Sequence, residues 1–151
     1  FMILLIMTLV FRSITGGLLA TLPMLASVVM MFGLMGYLDI PLNMTTSMLT
    51  GIMVGVGVDY TVHFLWHLRE HIKSGDSLDD AIATTLRISG KGILFNGLSV
   101  IIGFSALLFS VFVPVQIFGT LVMGSISLCL FGALAALPAL ISLINPKFLY
   151  R

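Results

Sequence analysis

Charge is scarce in this sequence. Asp, Glu, Lys and Arg make up 9% of its 151 residues, whereas an average soluble domain has about 25%. Hydrophobic residues make up 59%, and the mean hydropathy is +1.19. This composition excludes an ordinary soluble domain and predicts a protein that lies in a lipid bilayer. The net charge of +1 carries little information, and we expect no nucleic-acid partner.

Cysteine is almost absent as well. The single residue of this type, Cys129, lies inside an apolar run and supports neither a disulfide nor a zinc framework. The sequence also lacks the repeated ten-residue alternation that builds a membrane β-barrel. Helices are therefore the predicted spanning structure, because they satisfy their own backbone hydrogen bonds in lipid.

Long apolar runs are abundant. A spanning helix needs about 20 mostly apolar residues, and four such runs lie at about 18–38, 48–67, 93–113 and 117–144. Residues 1–11 resemble the second half of a fifth span, because they cover only about 16 Å of helix. We therefore predict an all-α, polytopic transmembrane bundle forming a single domain over 1–151. We expect this domain to be a fragment of a larger polypeptide.

The positive charges predict the orientation of the bundle. If the first partial span runs inward, all seven cations fall on the same side of the membrane: Arg12, Arg69, Lys73, Arg87, Lys91, Lys147 and Arg151. By the positive-inside rule this side is the cytoplasm. The pattern thus predicts a multi-pass protein of the cytoplasmic (inner) membrane.

One polar segment, 68–91, separates the second and third full spans. Ser77 and Asp80 have the spacing of a capping box, and apolar residues then recur at helical intervals up to Gly90. We predict a short amphipathic helix that lies along the cytoplasmic surface and is stopped by Gly90.

A carboxylate lies near the middle of one predicted span, in the stretch GVGVDYTVHF. In a straight helix Asp59 would be about 2 Å from the bilayer midplane, where a charged side chain costs about 2.5–3.5 kcal/mol. Such residues face a bundle interior or a water-filled path, where a carboxyl group can take up and release a proton. The alternative interpretation is a permanently protonated or hydrogen-bonded structural Asp.

Small and polar residues surround this carboxylate in the sequence. Gly51, Gly55 and Gly57 precede Asp59 and predict close packing of a partner helix. The next span carries a stripe of small and polar residues at three- and four-residue intervals: Gly92, Asn96, Ser99, Gly103, Ala106 and Ser110. Asn96 and Ser99 are candidate hydrogen-bond partners of Asp59 and Tyr60, although structural packing explains each of them equally well.

Three histidines, His63, His67 and His71, follow at intervals of four residues and would align along a helix. A metal site is one interpretation of this spacing. No HExxH pattern is present, however, and an interfacial belt with Trp66 explains His67 and His71. His63 lies one turn from Asp59 on the cytoplasmic side and is a candidate proton acceptor. We expect neither a metal nor another cofactor, and no enzymatic activity.

These residues resemble the resistance-nodulation-division (RND) superfamily of transporters, in its MmpL-type or hydrophobe/amphiphile exporter branch. The resemblance covers nearly the whole chain and rests on the following segments: FRS, LPMLASVV, IPLNMTTSML, GIMVGVGVDYTVHFLWHLRE, DAIATTLRISGKGILFNGLSVIIGFSALLFS and FGTL. They look like the five consecutive helices that end each half of such a transporter, helices 2–6 or 8–12. The ending NPKFLYR favours the C-terminal half.

The resemblance implies a transporter that is driven by the proton gradient and exports lipids or other hydrophobic or amphiphilic molecules. It implies that Asp59 and Tyr60 form the proton relay, with support from Asn96, Ser99 and His63, and that the proton is the coupling ion. The implied partners are membrane lipids, the hydrophobic substrate, and the other half and the extracytoplasmic domains of the same transporter, which is expected to be an oligomer.

Three alternatives remain at the level of the sequence. The chain could be a SecD/SecF-like protein-translocation component, although their run resembles DANVLIFERIREE and this chain reads DYTVHFLWHLREH. It could be a sterol-sensing or Patched-like module, in which a second acid more often stands at the position of Tyr60. It could also be an intramembrane metalloenzyme that uses the three histidines.

Overall fold

The computed structural model describes residues 2–11 and 13–144. Its elements are, in chain order, α1 (Met2–Phe11), α2 (Ile14–Tyr37), α3 (Met44–Lys73), α4 (Leu78–Ser105) with a 3₁₀ turn (Ala106–Phe109), α5 (Val113–Phe131), a π-helical segment (Gly132–Ala136) and α6 (Leu137–Ile144). Arg12, Lys147 and Arg151, and with them the NPKFLYR ending, lie outside the described residues. The predicted cytoplasmic location of these three cations therefore stays a prediction.

Four helical stretches are long and apolar enough to cross a membrane: Ile14–Tyr37, Thr46–Lys73, Leu78–Phe109 and Val113–Ile144. The described residues contain no strand, so the predicted all-α transmembrane bundle is confirmed. The helices start earlier than the apolar runs that predicted them, because hydropathy detects only the apolar part of a helix that continues past the lipid.

α5 lies at the centre of the bundle and contacts α2, α3 and α4. The core between these helices is built from large side chains that are fully buried, such as Phe64, Leu65, Ile126 and Leu137. α4 lies at the edge. Only 11% of its most apolar window is buried, compared with 39–44% in the other three spans. The structure therefore leaves one long helix face uncovered.

The polar segment 68–91 differs from the prediction. These residues, all of which the structure describes, do not form a separate surface helix: 68–73 continue α3, and 78–91 are the first turns of α4. Ser77 caps α4 and accepts a hydrogen bond from the Asp80 amide. Gly90 does not stop the helix. It is buried against Leu134, so packing outweighs the weak helix propensity of glycine.

The turn between α3 and α4 depends on Gly75. The Gly75 amide donates to the Ile72 carbonyl and the Asp76 amide to the His71 carbonyl, which is the Schellman pattern of a helix C-terminus. Gly75 has a φ of +100°, a conformation that side chains with a Cβ rarely adopt.

Gly75→Ala is expected to lower the free energy of unfolding by about 1–2 kcal/mol, because the added Cβ is strained at positive φ. Thermal unfolding of the full-length protein in detergent measures this loss. Gly36→Ala is the control, because Gly36 lies in α2 with nothing within 4 Å of an added Cβ. Equal unfolding temperatures for the two variants would contradict the role given to Gly75.

The last predicted span, at 117–144, contains an irregularity that the sequence analysis did not predict. Residues Gly132–Ala136 are π-helical, with the Leu137 amide donating to the Gly132 carbonyl. The segment ends just before Pro138, whose ring lacks an N–H and crowds the preceding turn, so the widened turn relieves that conflict.

A second proline, Pro23, lies inside α2 next to this segment. An added Cβ on Gly132 would lie 3.4 Å from the Pro23 carbonyl oxygen and 3.2 Å from Ser27 Oγ. The Ser27 hydroxyl donates to the Pro23 carbonyl at 2.9 Å and approaches the Leu128 carbonyl at 3.2 Å. The π-helical segment therefore packs directly against the turn of α2 that contains Pro23.

Candidate functional site

The groove between α3 and α4 holds the candidate site. The two helices are consecutive and antiparallel, so residues near the middle of α3 lie beside residues near the middle of α4. A cavity of about 270 Å³ opens in this groove. It is lined by Asp59, Tyr60, His63 and His67 from α3 and by Ser89, Gly92, Ile93 and Asn96 from α4.

Asp59 and His63 form a pair along the outer face of α3. Asp59 Oδ1 lies 3.3 Å from His63 Nε2, as the i, i+4 spacing allows. Both side chains are exposed in this chain, Asp59 by 57% and His63 by 62%. A carboxyl and an imidazole at this distance can share one proton, because either group can hold it.

Tyr60 points to the other side of α3. It belongs to the core with an exposed fraction of 1%, and it also borders the cavity. Its hydroxyl group is buried and has no hydrogen-bond partner among the residues that the structure describes. A buried hydroxyl without a partner is costly, so a water molecule or a group outside the described residues is expected to supply the missing hydrogen bond.

Of the two candidate support residues on α4, Asn96 and Ser99, the structure places only one in the cavity. Asn96 lines the cavity together with Asp59 and Tyr60. Ser99 does not. It is exposed, and its hydroxyl donates to the Phe95 carbonyl of its own helix at 2.8 Å. Asn96 is thus the candidate that shares the groove with the carboxylate, and a role for Ser99 needs a partner from outside the described residues.

The three glycines of α3 also divide between two faces. Gly57 is buried, and an added Cβ would lie 3.0 Å from Met24 Cγ and 3.4 Å from Cys129 Sγ, so this position packs against α2 and α5. Gly51 and Gly55 have nothing within 4 Å of an added Cβ. They lie on the same open face as Asp59, where packing against a partner helix stays a prediction.

The three histidines do not converge. His63 lies beside Asp59. His67 Nδ1 is 3.7 Å from Glu70 Oε2, and His71 Nδ1 is 3.4 Å from Asp76 Oδ2. Within 2–11 and 13–144, no three or more His, Cys, Asp or Glu side chains are placed to hold a metal ion. The aligned spacing therefore produces a row of separate acid–histidine pairs.

Two residues of the cavity were missed by the sequence analysis. His67 was assigned to an interfacial belt, and Ser89 was not considered, yet both line the cavity. The Ser89 hydroxyl is also buried without a partner among the described residues. An antiparallel pairing that sets Asn96 beside Asp59 also sets Ser89 beside His67, so the register of the two helices could have identified them.

The open face of α3 and α4 carries polar side chains that are costly to place against lipid. Asp59 and His63 on α3, and Asn96 and Ser99 on α4, are all exposed in this chain. A charged group facing lipid near the bilayer centre costs about 2.5–3.5 kcal/mol, and intramembrane charges face protein or water. This face is therefore expected to be covered by protein or water in the complete molecule.

Comparisons with known proteins point in one direction. The model of the MMPL family matches residues 1–149. A protein of Methanocaldococcus jannaschii, whose name is that of a membrane protein, is 32% identical over 139 residues, which are 92% of this chain and 36% of that protein. The chain thus spans about a third of the length of the curated relative it matches. No solved structure gives a significant match.

Proposed function

Because this chain belongs to the MMPL family, a part of the RND superfamily of transporters, we propose that it forms the proton-relay membrane domain of one half of an exporter. The transporter is driven by the proton-motive force and moves lipids or other hydrophobic or amphiphilic molecules out across the cytoplasmic membrane. Membership in the MMPL family favours this function over protein translocation, sterol sensing and metalloenzyme chemistry.

One observation carries the proposal: three groups that can hold or donate a proton border one cavity, which lies about half-way along α3 in its groove with α4. These are the Asp59 carboxyl, the His63 imidazole and the unpartnered Tyr60 hydroxyl. Asp59 is the proton-binding group. Tyr60 connects it to the core of the bundle, and Asn96 offers an amide that can bond to either form of the carboxyl.

Protonation of Asp59 changes the interactions inside the groove. The ionised carboxylate attracts the His63 imidazolium and accepts hydrogen bonds, whereas the neutral acid also donates one. One proton that crosses 100 mV releases about 2.3 kcal/mol. This energy is sufficient to shift two helix packings that differ by a few kcal/mol. Proton uptake and release would thus be converted into a movement of α3 relative to its neighbours.

The other half of the transporter is the proposed partner of the open face. Gly51 and Gly55 lie beside Asp59 on α3, and Gly103 on α4 also has nothing within 4 Å of an added Cβ. Small residues allow a second helix to approach the backbone closely. A helix packed there would shield the exposed Asp59 side chain from lipid.

Gradient-driven export by the full-length protein tests the proposed function. The protein is reconstituted into liposomes, a pH gradient is imposed, and the movement of a fluorescent phospholipid and of a fluorescent amphiphile is followed. Export is expected with the gradient, and it is expected to stop when a protonophore collapses the gradient. Export that continues unchanged without the gradient would contradict proton coupling.

Tyr60→Phe is expected to lower proton-coupled export about five- to tenfold, which corresponds to one lost hydrogen bond of about 1–1.4 kcal/mol. The variant is expected to fold at least as well as the wild type, because the hydroxyl has no partner among the described residues. Export and thermal unfolding are measured on the same preparation. A large loss of stability with normal export would contradict the assignment of Tyr60.

A further inference from the structure

We propose that the groove between α3 and α4 continues from Asp59 to the cytoplasmic end of α3 as a proton-exit path. In this path His63 and His67 carry the proton in turn, and Ser89 holds the water between them. The inference rests on the proposed function, since it gives the proton of Asp59 a route. It adds His67 and Ser89 to the residues that act on the proton, and Gly92 as the residue that leaves the groove open.

Proton-carrying side chains follow one another along the cavity. Asp59, His63 and His67 stand on three successive turns of α3, and all three line the same cavity. The eight residue steps from Asp59 to His67 span about 12 Å of helix. Glu70, whose side chain is 68% exposed, lies 3.7 Å from His67 and brings the row to the charged end of α3. The row thus leads from the bilayer centre to the aqueous surface.

α4 supplies the space and a hydroxyl group. Gly92 borders the cavity with nothing within 4 Å of an added Cβ, so α4 leaves the groove open at this position. Ser89 borders its cytoplasmic part, and its buried hydroxyl has no described partner. A hydroxyl both donates and accepts, and a cavity of this size with several polar lining groups accommodates water, so a bridged chain of hydrogen bonds fits here.

The ionisable groups of the path all come from α3. The residues that α4 contributes to the lining are Ser89, Gly92, Ile93 and Asn96, none of which titrates near neutral pH. The cations of α4, Arg87 and Lys91, are not part of the lining. Among the lining residues, only the other histidine, when it is protonated, can therefore repel a proton on His63 or His67.

Each transfer conserves one proton. The O–H bond of protonated Asp59 breaks, and an N–H bond forms at His63 Nε2, which leaves a carboxylate and an imidazolium. The imidazolium then releases a proton from its other ring nitrogen to water beside Ser89, and this water passes a proton to His67. His67 loses its proton to Glu70 or to cytoplasmic water and returns to the neutral form. No other reactant is needed.

The test uses the full-length transporter in liposomes that contain a pH-sensitive dye, under an imposed pH gradient. His67→Ala is expected to slow proton release about tenfold or more, because one proton carrier is missing. Imidazole added on the cytoplasmic side is expected to restore the rate. His71→Ala is the matched control and is expected to release protons at the wild-type rate, since His71 pairs with Asp76 and does not line the cavity.

A second variant closes the groove without removing a histidine. Gly92→Leu fills the open space beside His63 and is expected to slow proton release by about tenfold or more as well. Wild-type proton release by His67→Ala or Gly92→Leu, or a slow His67→Ala that imidazole does not restore, would overturn the path. Proton release by Asp59→Asn at the wild-type rate would instead overturn the proposed function itself, so the two failures are distinguishable.

Discussion

Asp59→Asn is expected to abolish proton-coupled export, with a residual rate of about 1% or less, because loss of a proton-transferring group costs about 10²–10⁴-fold. Asparagine has nearly the shape of aspartate, but it cannot bind and release a proton near neutral pH. In the proposed mechanism, the helices then lose the protonation change that would shift their packing. Export of the fluorescent lipid and proton flux are expected to fall together.

The fold is expected to survive this substitution. The Asp59 side chain is 57% exposed in this chain, and its described contact is with His63 on the same helix. Asp39→Asn is the matched control, because it makes the same chemical change in the loop between α2 and α3. Asp39 has a φ of 51°, which asparagine tolerates well. Proton-coupled export retained by Asp59→Asn would defeat the assignment of Asp59.

Gly119→Ala is expected to cause a large loss of stability. Gly119 in α5 is buried where α5 meets the turn that follows α4. An added Cβ would lie 2.8 Å from Leu107 Cβ and 3.3 Å from the Phe104 carbonyl oxygen. Neither atom is the end of a flexible side chain, so the helices themselves must move apart. The expected cost is about 1–3 kcal/mol of unfolding free energy.

Thermal unfolding of the full-length protein in detergent measures this effect. Gly33→Ala is the control, because Gly33 lies in α2 with nothing within 4 Å of an added Cβ. Its unfolding temperature is expected to stay the same or rise slightly, since alanine favours a helix over glycine by about 1 kcal/mol. An unfolding temperature of Gly119→Ala equal to that of Gly33→Ala would contradict the close contact between α5 and the end of α4.

The sequence predicted the class of fold because hydropathy reports directly on lipid contact. It did not predict where helices continue beyond the lipid, which is why 68–91 were assigned to a separate surface helix. Gly90 illustrates the cause. Glycine is a helix breaker in isolation, but at this position it packs against Leu134 in the bundle. Such a tertiary contact cannot be predicted from a local sequence pattern.

The candidate site was predicted in part. Asp59, Tyr60, His63 and Asn96 border one cavity, whereas Ser99 lies outside it. Asn96 and Ser99 belong to the same small and polar stripe, so only the actual register of α4 against α3 separates them. Gly57 was grouped with Gly51 and Gly55, yet residues two positions apart lie on nearly opposite sides of a helix.

The contact between Pro23 and the π-helical segment has a mechanical consequence. Neither Pro23 nor Pro138 can donate a backbone hydrogen bond, and the widened turn at Gly132–Ala136 has already given up its regular spacing. Two adjacent helices thus lack regular backbone hydrogen bonds near their contact, which makes each of them easier to bend there. Because the Pro23 turn of α2 contacts the π-helical segment directly, a bend in one of these helices is expected to be transmitted to the other.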